Sequence, residues 1–195
     1  MTILFLIVIN FLTSNEHPWF IYPAYVLVLF PIALICVLKK QYKLLSIIGS
    51  IWTLSFLIII NHLNTPDNPW VLYTIVPLLM CPVLVLLDQK AKRISIAICG
   101  SLAITLYYLL LNVYLSPYYP WAIFPAFIVI WWPLFLYHFK RKSYFQLSLH
   151  GSVLISAFFI IVNAISSPNN VWAVYPIFGV LWWPLSMYYF GSEKS

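Results

Sequence analysis

The chain has 195 residues, of which 64% are hydrophobic and only 7% charged, so it lacks the polar surface that a water-soluble domain of this size needs. A bilayer removes that need because lipid tails accept an apolar exterior; the competing reading, an oily lipid-binding globule, would still need a charged rim. The formal charge of +6 comes with no basic run longer than three residues, which argues against a nucleic-acid-binding stripe.

In chain order, Ile3–Leu12 is apolar but has neither the basic leader nor the small-residue cleavage site of a signal peptide, and is read as retained. From there the chain repeats itself at a period of 51 residues. The four units are 1–42, 43–93, 94–144 and 145–195, within a single membrane domain 1–195. Each contains an Asn (Asn10, Asn61, Asn112, Asn163), a Trp nine residues later (Trp19, Trp70, Trp121, Trp172) and a Pro twelve beyond that (Pro31, Pro82, Pro133, Pro184).

In units two to four a first apolar segment, A, runs over about Lys43–Leu63, Ile94–Leu115 and Phe145–Ile165. Each has roughly the 20 residues a helix needs to cross about 30 Å of hydrocarbon. Continuous apolar character without alternation predicts helices and not barrel strands. A polar turn follows, then segment B, at about Pro18–Leu38, Pro69–Leu87, Pro120–Phe139 and Val171–Phe190. Thr65-Pro66, Ser116-Pro117 and Ser167-Pro168 predict a hydroxyl N-cap ahead of a Pro at the first helical position. The four Trp residues then fall at the outer headgroup level as interfacial anchors.

Pro31, Pro82, Pro133 and Pro184 lie in the middle of B, where each removes a backbone bond and predicts a kink; Pro23, Pro125 and Pro176 add a second irregularity nearer the outside. Segment A carries a small-residue face: Ser46, Gly49 and Ser50; Ala97, Gly100 and Ser101; Ser148, Gly151 and Ser152. Such a face lets two helix backbones approach closely in lipid. Unit one departs from this pattern. Met1 aligns with Trp52, so its A segment starts late and lacks the small face. Residues 2–13 would extend only about 18 Å as a helix, leaving either a notch or a start lying upstream.

The expected fold is therefore all-α and polytopic: eight transmembrane helices as four tandem, parallel two-helix hairpins in a pseudo-fourfold bundle. All the Lys and Arg residues sit at the unit junctions (Lys39, Lys40, Lys43; Lys90, Lys92, Arg93; Lys140, Arg141, Lys142) or at Lys194. The Pro-rich loops have none, which puts both termini in the cytoplasm and those loops outside the cell membrane.

The unit resembles the bacterial 2TM domain family, whose hairpin has a late Asn in its first helix, a polar turn and then P-W-F-x-W-P. Asn10 with Pro18-Trp19-Phe20-Ile21-Tyr22-Pro23 is most similar to that pattern; Asn112 with Pro120-Trp121-Ala122-Ile123-Phe124-Pro125 follows it less closely. The family's W-G-x-G step is replaced by Trp-Pro, as at Trp132-Pro133 and Trp183-Pro184. The resemblance covers nearly the whole chain and implies a membrane location and hairpin fold. Family members often anchor signalling domains, and no such domain is visible in this sequence.

The in-phase asparagines are the leading polar candidates, because a buried amide in a membrane is costly unless paired. They either line a polar axis or bond the turn of their own hairpin; the second reading is favoured. His17 and His62 are placed near the outer surface, and His138 and His150 near the inner one, each as an isolated structural histidine. Asp67, Asp88 and Glu16 are read as edge or capping charges. Cys36, Cys81 and Cys99 sit in apolar segments as packing residues. No catalytic set, metal site or cofactor motif stands out. The expected role is a non-catalytic membrane module that contacts lipid and other membrane proteins. A passive channel or carrier along an Asn-lined axis is the alternative, and a lipid-acting enzyme using His138 or His150 at the notch the third reading.

Overall fold

The computed structural model describes residues 1–14 and 17–191; Glu16 and Lys194 lie outside the described residues. Among those described there are eight α-helices and no strand: α1 Thr2–Thr13, α2 Ile21–Leu38, α3 Tyr42–Asn64, α4 Val71–Leu87, α5 Ile94–Leu115, α6 Ile123–Arg141, α7 Tyr144–Ser166 and α8 Val174–Gly191, with a short 3₁₀ turn at Asp88–Lys92. Six segments are long and apolar enough to cross a bilayer, beginning at Ile21, Tyr42, Val71, Ile94, Ile123 and Tyr144. The chain is thus an all-helical, multi-pass membrane protein.

Two compact units are formed, Met1–Asp88 and the chain from Gln89 onward, each with four helices. In the first, α3 and α4 pack as a hairpin and α2 lies against α3; in the second, α5/α6 and α7/α8 are hairpins and α6 lies against α7. Most of the residues buried inside are small or polar, such as Ala97, Ser148 and Ser152, with Ile104, Tyr108 and Leu147 among them, while many Leu, Ile, Val and Phe side chains are exposed along the helices. That distribution suits lipid, where close approach of helices depends on small side chains and not on expulsion of water.

The A helices begin and end within a residue of the apolar runs. The B helices do not begin where the hydroxyl–Pro pairs predict. Thr65, Ser116 and Ser167 are instead the C-caps of α3, α5 and α7, with φ of −147°, −153° and −153° and ψ of 64°, 68° and 67°. In two turns the N–H three residues on closes a β-turn, Asn68 to the Thr65 carbonyl at 3.2 Å and Asn170 to that of Ser167 at 3.1 Å. Pro66 and Pro168 therefore occupy the second turn position, where a fixed φ is an advantage. Pro69 and Pro120 precede their helices. Pro23, Pro125 and Pro176 lie in the first helical turn, where the missing N–H costs nothing, and so are not a second interior irregularity.

Pro31, Pro82, Pro133 and Pro184 do lie inside their helices. A proline at 133 leaves the carbonyl of Val129 without its helical partner, and one at 184 does the same to Val180. The A helix of the same hairpin supplies the replacement: Ser101 Oγ donates to the Val129 carbonyl at 3.0 Å, and Ser152 Oγ to that of Val180 at 3.3 Å. At the basic junctions, Lys40 and Lys142 adopt positive φ (55° and 53°) as left-handed helix ends. The N–H of the following residue, Gln41 or Ser143, closes back on the carbonyl of Cys36 or His138 at 2.8 and 3.1 Å.

Candidate functional site

Every in-phase asparagine makes the same three bonds. Nδ2 of Asn112 donates to the carbonyls of Ser116 at 2.6 Å and Tyr119 at 2.8 Å, and Oδ1 accepts the Ala122 N–H at 3.0 Å. Asn163 repeats this with Ser167, Asn170 and Ala173; Asn61 with Thr65, Asn68 and Val71; Asn10 with Ser14, His17 and Phe20. All four side chains are buried. The extended φ of the C-cap residue, between −147° and −157°, turns its carbonyl back toward the amide. The amide thereby serves the end of one helix and the start of the next, both of which have unpaired backbone groups. Both hydrogens of Nδ2 are used within the hairpin.

The Trp residues flank these turns. Trp70 is the N-cap residue of α4, and its indole Nε1–H donates to Thr65 Oγ1 at 2.9 Å. Trp121 meets Tyr108 edge to face at 6.0 Å, and Trp172 meets Phe159 likewise at 6.0 Å. Each of these two stands at the entrance of its B helix with its ring against an aromatic of the A helix.

On the small-residue face, Gly100 and Gly151 receive rings, while Ser101 and Ser152 bond the backbone of the facing B helix. A Cβ on Gly100 would lie 2.8 Å from the Trp132 ring, and one on Gly151 would lie 2.5 Å from Trp183 and 3.1 Å from Trp131. Gly49 has nothing within 4 Å, because Cys81 stands where the other two hairpins carry Trp132 and Trp183. Ser46 Oγ is buried without a hydrogen-bond partner, whereas Ser148 Oγ bonds the Phe145 carbonyl at 2.7 Å.

His138 and His150 are not isolated. His138 is fully buried near the end of α6; its Nδ1 lies 2.8 Å from Ser143 Oγ and its Nε2 lies 3.0 Å from Nδ1 of His150 on α7. A neutral pair satisfies this chain in either direction, since the serine hydroxyl can donate or accept. The two histidines close one end of an apolar groove of about 590 Å³ between α5, α6 and α7, lined among others by Ile98, Pro133 and Leu154. The groove beside α1 is a different one, about 260 Å³, lined by Ile3, Tyr25, Trp52 and Phe56 among others. The histidines lie outside it. No signal in the sequence pairs His138 with His150: they are brought together by the tight turn at Lys142.

Asp67, Asp88, His17 and His62 are exposed, as are Cys81 and Cys99, while Cys36 is buried. No group of three His, Cys, Asp or Glu side chains able to hold a metal occurs among the described residues. Comparison of the chain with protein-family models, curated proteins and solved structures gave no match in any of the three.

Proposed function

We propose that the chain is a non-catalytic membrane module, a scaffold, sensor or accessory subunit that binds other membrane proteins. In this reading the four hairpins make eight crossings of the cell membrane, all in the same orientation, as a pseudo-fourfold set with basic junctions and termini in the cytoplasm. The hairpin plan is that of the 2TM domain family, on the strength of the Asn and the Pro18–Pro23 motif.

One observation carries the proposal: the four in-phase asparagines and two serines of the apolar segments are turned inward on the hairpins themselves. Asn10, Asn61, Asn112 and Asn163 bind their own turns, and Ser101 and Ser152 bind the carbonyls freed by proline. What faces outward is aliphatic and aromatic, the surface by which a membrane protein meets lipid and other helices. A solute path lined by the four amides has less support, because their donors are already used.

Crosslinking in native membranes followed by identification of the adducts tests this directly. A defined second membrane protein is the expected product. Recovery of the chain alone, or joined only to copies of itself, would overturn the partner-binding reading.

A further inference from the structure

The groove between α5, α6 and α7 is apolar along its length and polar at one end. Ile98, Ile130 and Val153 line it, one from each helix, and Tyr137, His138 and His150 close it. Every lining residue belongs to the unit that begins at Gln89. From Tyr137 to Ile130 the groove follows α6 for about 10 Å, two-thirds of the roughly 15 Å that half a hydrocarbon core measures. Just past Ile130 and Ala157 an aromatic joint holds the two helices: Phe127 stacks on Phe158 at 4.1 Å, as Tyr25 on Phe56 at 4.4 Å holds α2 to α3.

The polar end is a set of donors. Arg141 Nη1 donates to Tyr137 Oη, and its guanidinium carbon lies 4.4 Å from the centre of that ring. The hydroxyl oxygen is thereby engaged and its own hydrogen is left to give, as are the other N–H groups of exposed Arg141. His150, also exposed, meets His138 through Nδ1 and has no partner at Nε2 among the described residues. When Ser143 donates to His138 Nδ1 and His138 Nε2–H to His150 Nδ1, His150 is left with Nε2–H as a third donor. Between residues 89 and 191 the chain has Lys90, Lys92, Arg93, Lys140, Arg141 and Lys142 but no Asp or Glu, so this unit has no carboxylate to meet them. Nor does the hairpin plan require Tyr137, His138 and His150. In register with them stand Ile35, Cys36 and Ile48 at one junction, and Leu86, Leu87 and Cys99 at the next.

We propose that this groove binds an anionic phospholipid from the leaflet on the side of the basic junctions, with one acyl chain along Ile130 and Leu154 and the phosphate on Arg141, Tyr137 and His150. Donors without an acceptor among them select an anion. The apolar groove that begins at the same residues selects an anion that carries a chain. Exposed Lys140 and Lys142, on either side of Arg141, favour a headgroup of net negative charge over a zwitterionic one. The bound phosphate also fixes the direction of the Ser143–His138–His150 chain, since only one direction turns an N–H toward it. This inference needs the chain to span a bilayer but needs no protein partner, so its outcome is separate from that of the crosslinking above.

The test places the full chain in phosphatidylcholine nanodiscs doped with a photoactivatable lipid, either phosphatidylglycerol or phosphatidylcholine, with a diazirine on its acyl chain. After illumination the labelled peptides are mapped. Phosphatidylglycerol should label the stretches around Ile130 and Leu154 roughly tenfold more than phosphatidylcholine at the same mole fraction. Arg141→Gln should lower that labelling roughly fivefold or more, with helical circular dichroism unchanged because the side chain is exposed. The groove at Tyr25 and Trp52 is the internal control. Its Tyr25 hydroxyl bonds Thr53 and its Trp52 N–H bonds the Tyr25 carbonyl, so it should take both lipids equally. Equal labelling of the α6 and α7 stretches by the two lipids would overturn the proposal, as would an Arg141→Gln variant labelled like the parent. So would the absence of label around Ile130 and Leu154, the result if protein fills the groove.

Discussion

Replacement of Asn112 separates a turn clasp from a polar lining. Asn112→Leu removes two bonds to carbonyls, at 2.6 and 2.8 Å, and the bond from the Ala122 N–H at 3.0 Å. Each is worth about 0.5–1.5 kcal/mol net, and the Ala122 N–H is in addition left buried without a partner. The Ser116 and Tyr119 carbonyls lie at a turn that water reaches, which moderates their loss. A cost of about 2–4 kcal/mol is expected. Asn112→Asp is the discriminating variant. It keeps the acceptor for Ala122 but sets a carboxylate oxygen against two carbonyl oxygens, so it should cost as much as Leu or more. Unfolding of the detergent-solubilised protein, followed by helical circular dichroism over a denaturant titration, reads both. An Asp variant within about 0.5 kcal/mol of the parent would refute the clasp, since only a solvated amide tolerates that exchange.

Three further outcomes follow from the packing. Ser101→Ala should destabilise by about 1 kcal/mol in the parent, where Pro133 leaves the Val129 carbonyl free, and by much less beside Pro133→Ala, which restores the helical donor; a double-mutant cycle on the same titration gives the coupling. Gly151→Ala should cost about 1–3 kcal/mol through the Trp183 ring, whereas Gly49→Ala, with open space around it, should be neutral or stabilise by up to about 1 kcal/mol on helix propensity; thermal melts in detergent rank the two. His150→Phe should lose about 1–3 kcal/mol by leaving Nε2 of buried His138 without its partner, and His138→Phe combined with it should recover part of that loss, measured in the same way.

The A helices were legible because continuous apolar length has one physical meaning in this composition, and they lie within a residue of where that length predicts. The starts of the B helices were not. Thr65-Pro66 satisfies an N-cap and a β-turn equally well, and the choice was made by Asn61, whose amide draws the Thr65 carbonyl back before the helix can begin. The period of 51 placed all four asparagines in equivalent positions, but their partners, carbonyls four and seven residues on and an N–H donor ten residues on, emerge only once the turn is folded. Gly100 and Trp132 are 32 residues apart, as are Gly151 and Trp183; this spacing is a sequence signal for ring-on-glycine packing, obscured at Gly49 by Cys81. The His138–His150 contact has no such regularity. It depends on Lys142 adopting a left-handed conformation, which only the folded junction displays.

The asparagine clasp bears on how such a chain enters a bilayer. Because its donor and all its acceptors lie within eleven consecutive residues, each turn can be completed as soon as that stretch has been synthesised, with no contribution from any other hairpin. A nascent pair of helices thus meets the hydrocarbon with its loop amides already paired. Assembly of the later aromatic joints then joins finished pieces, so damage to one clasp should delay the insertion of its own hairpin and leave those made before it untouched.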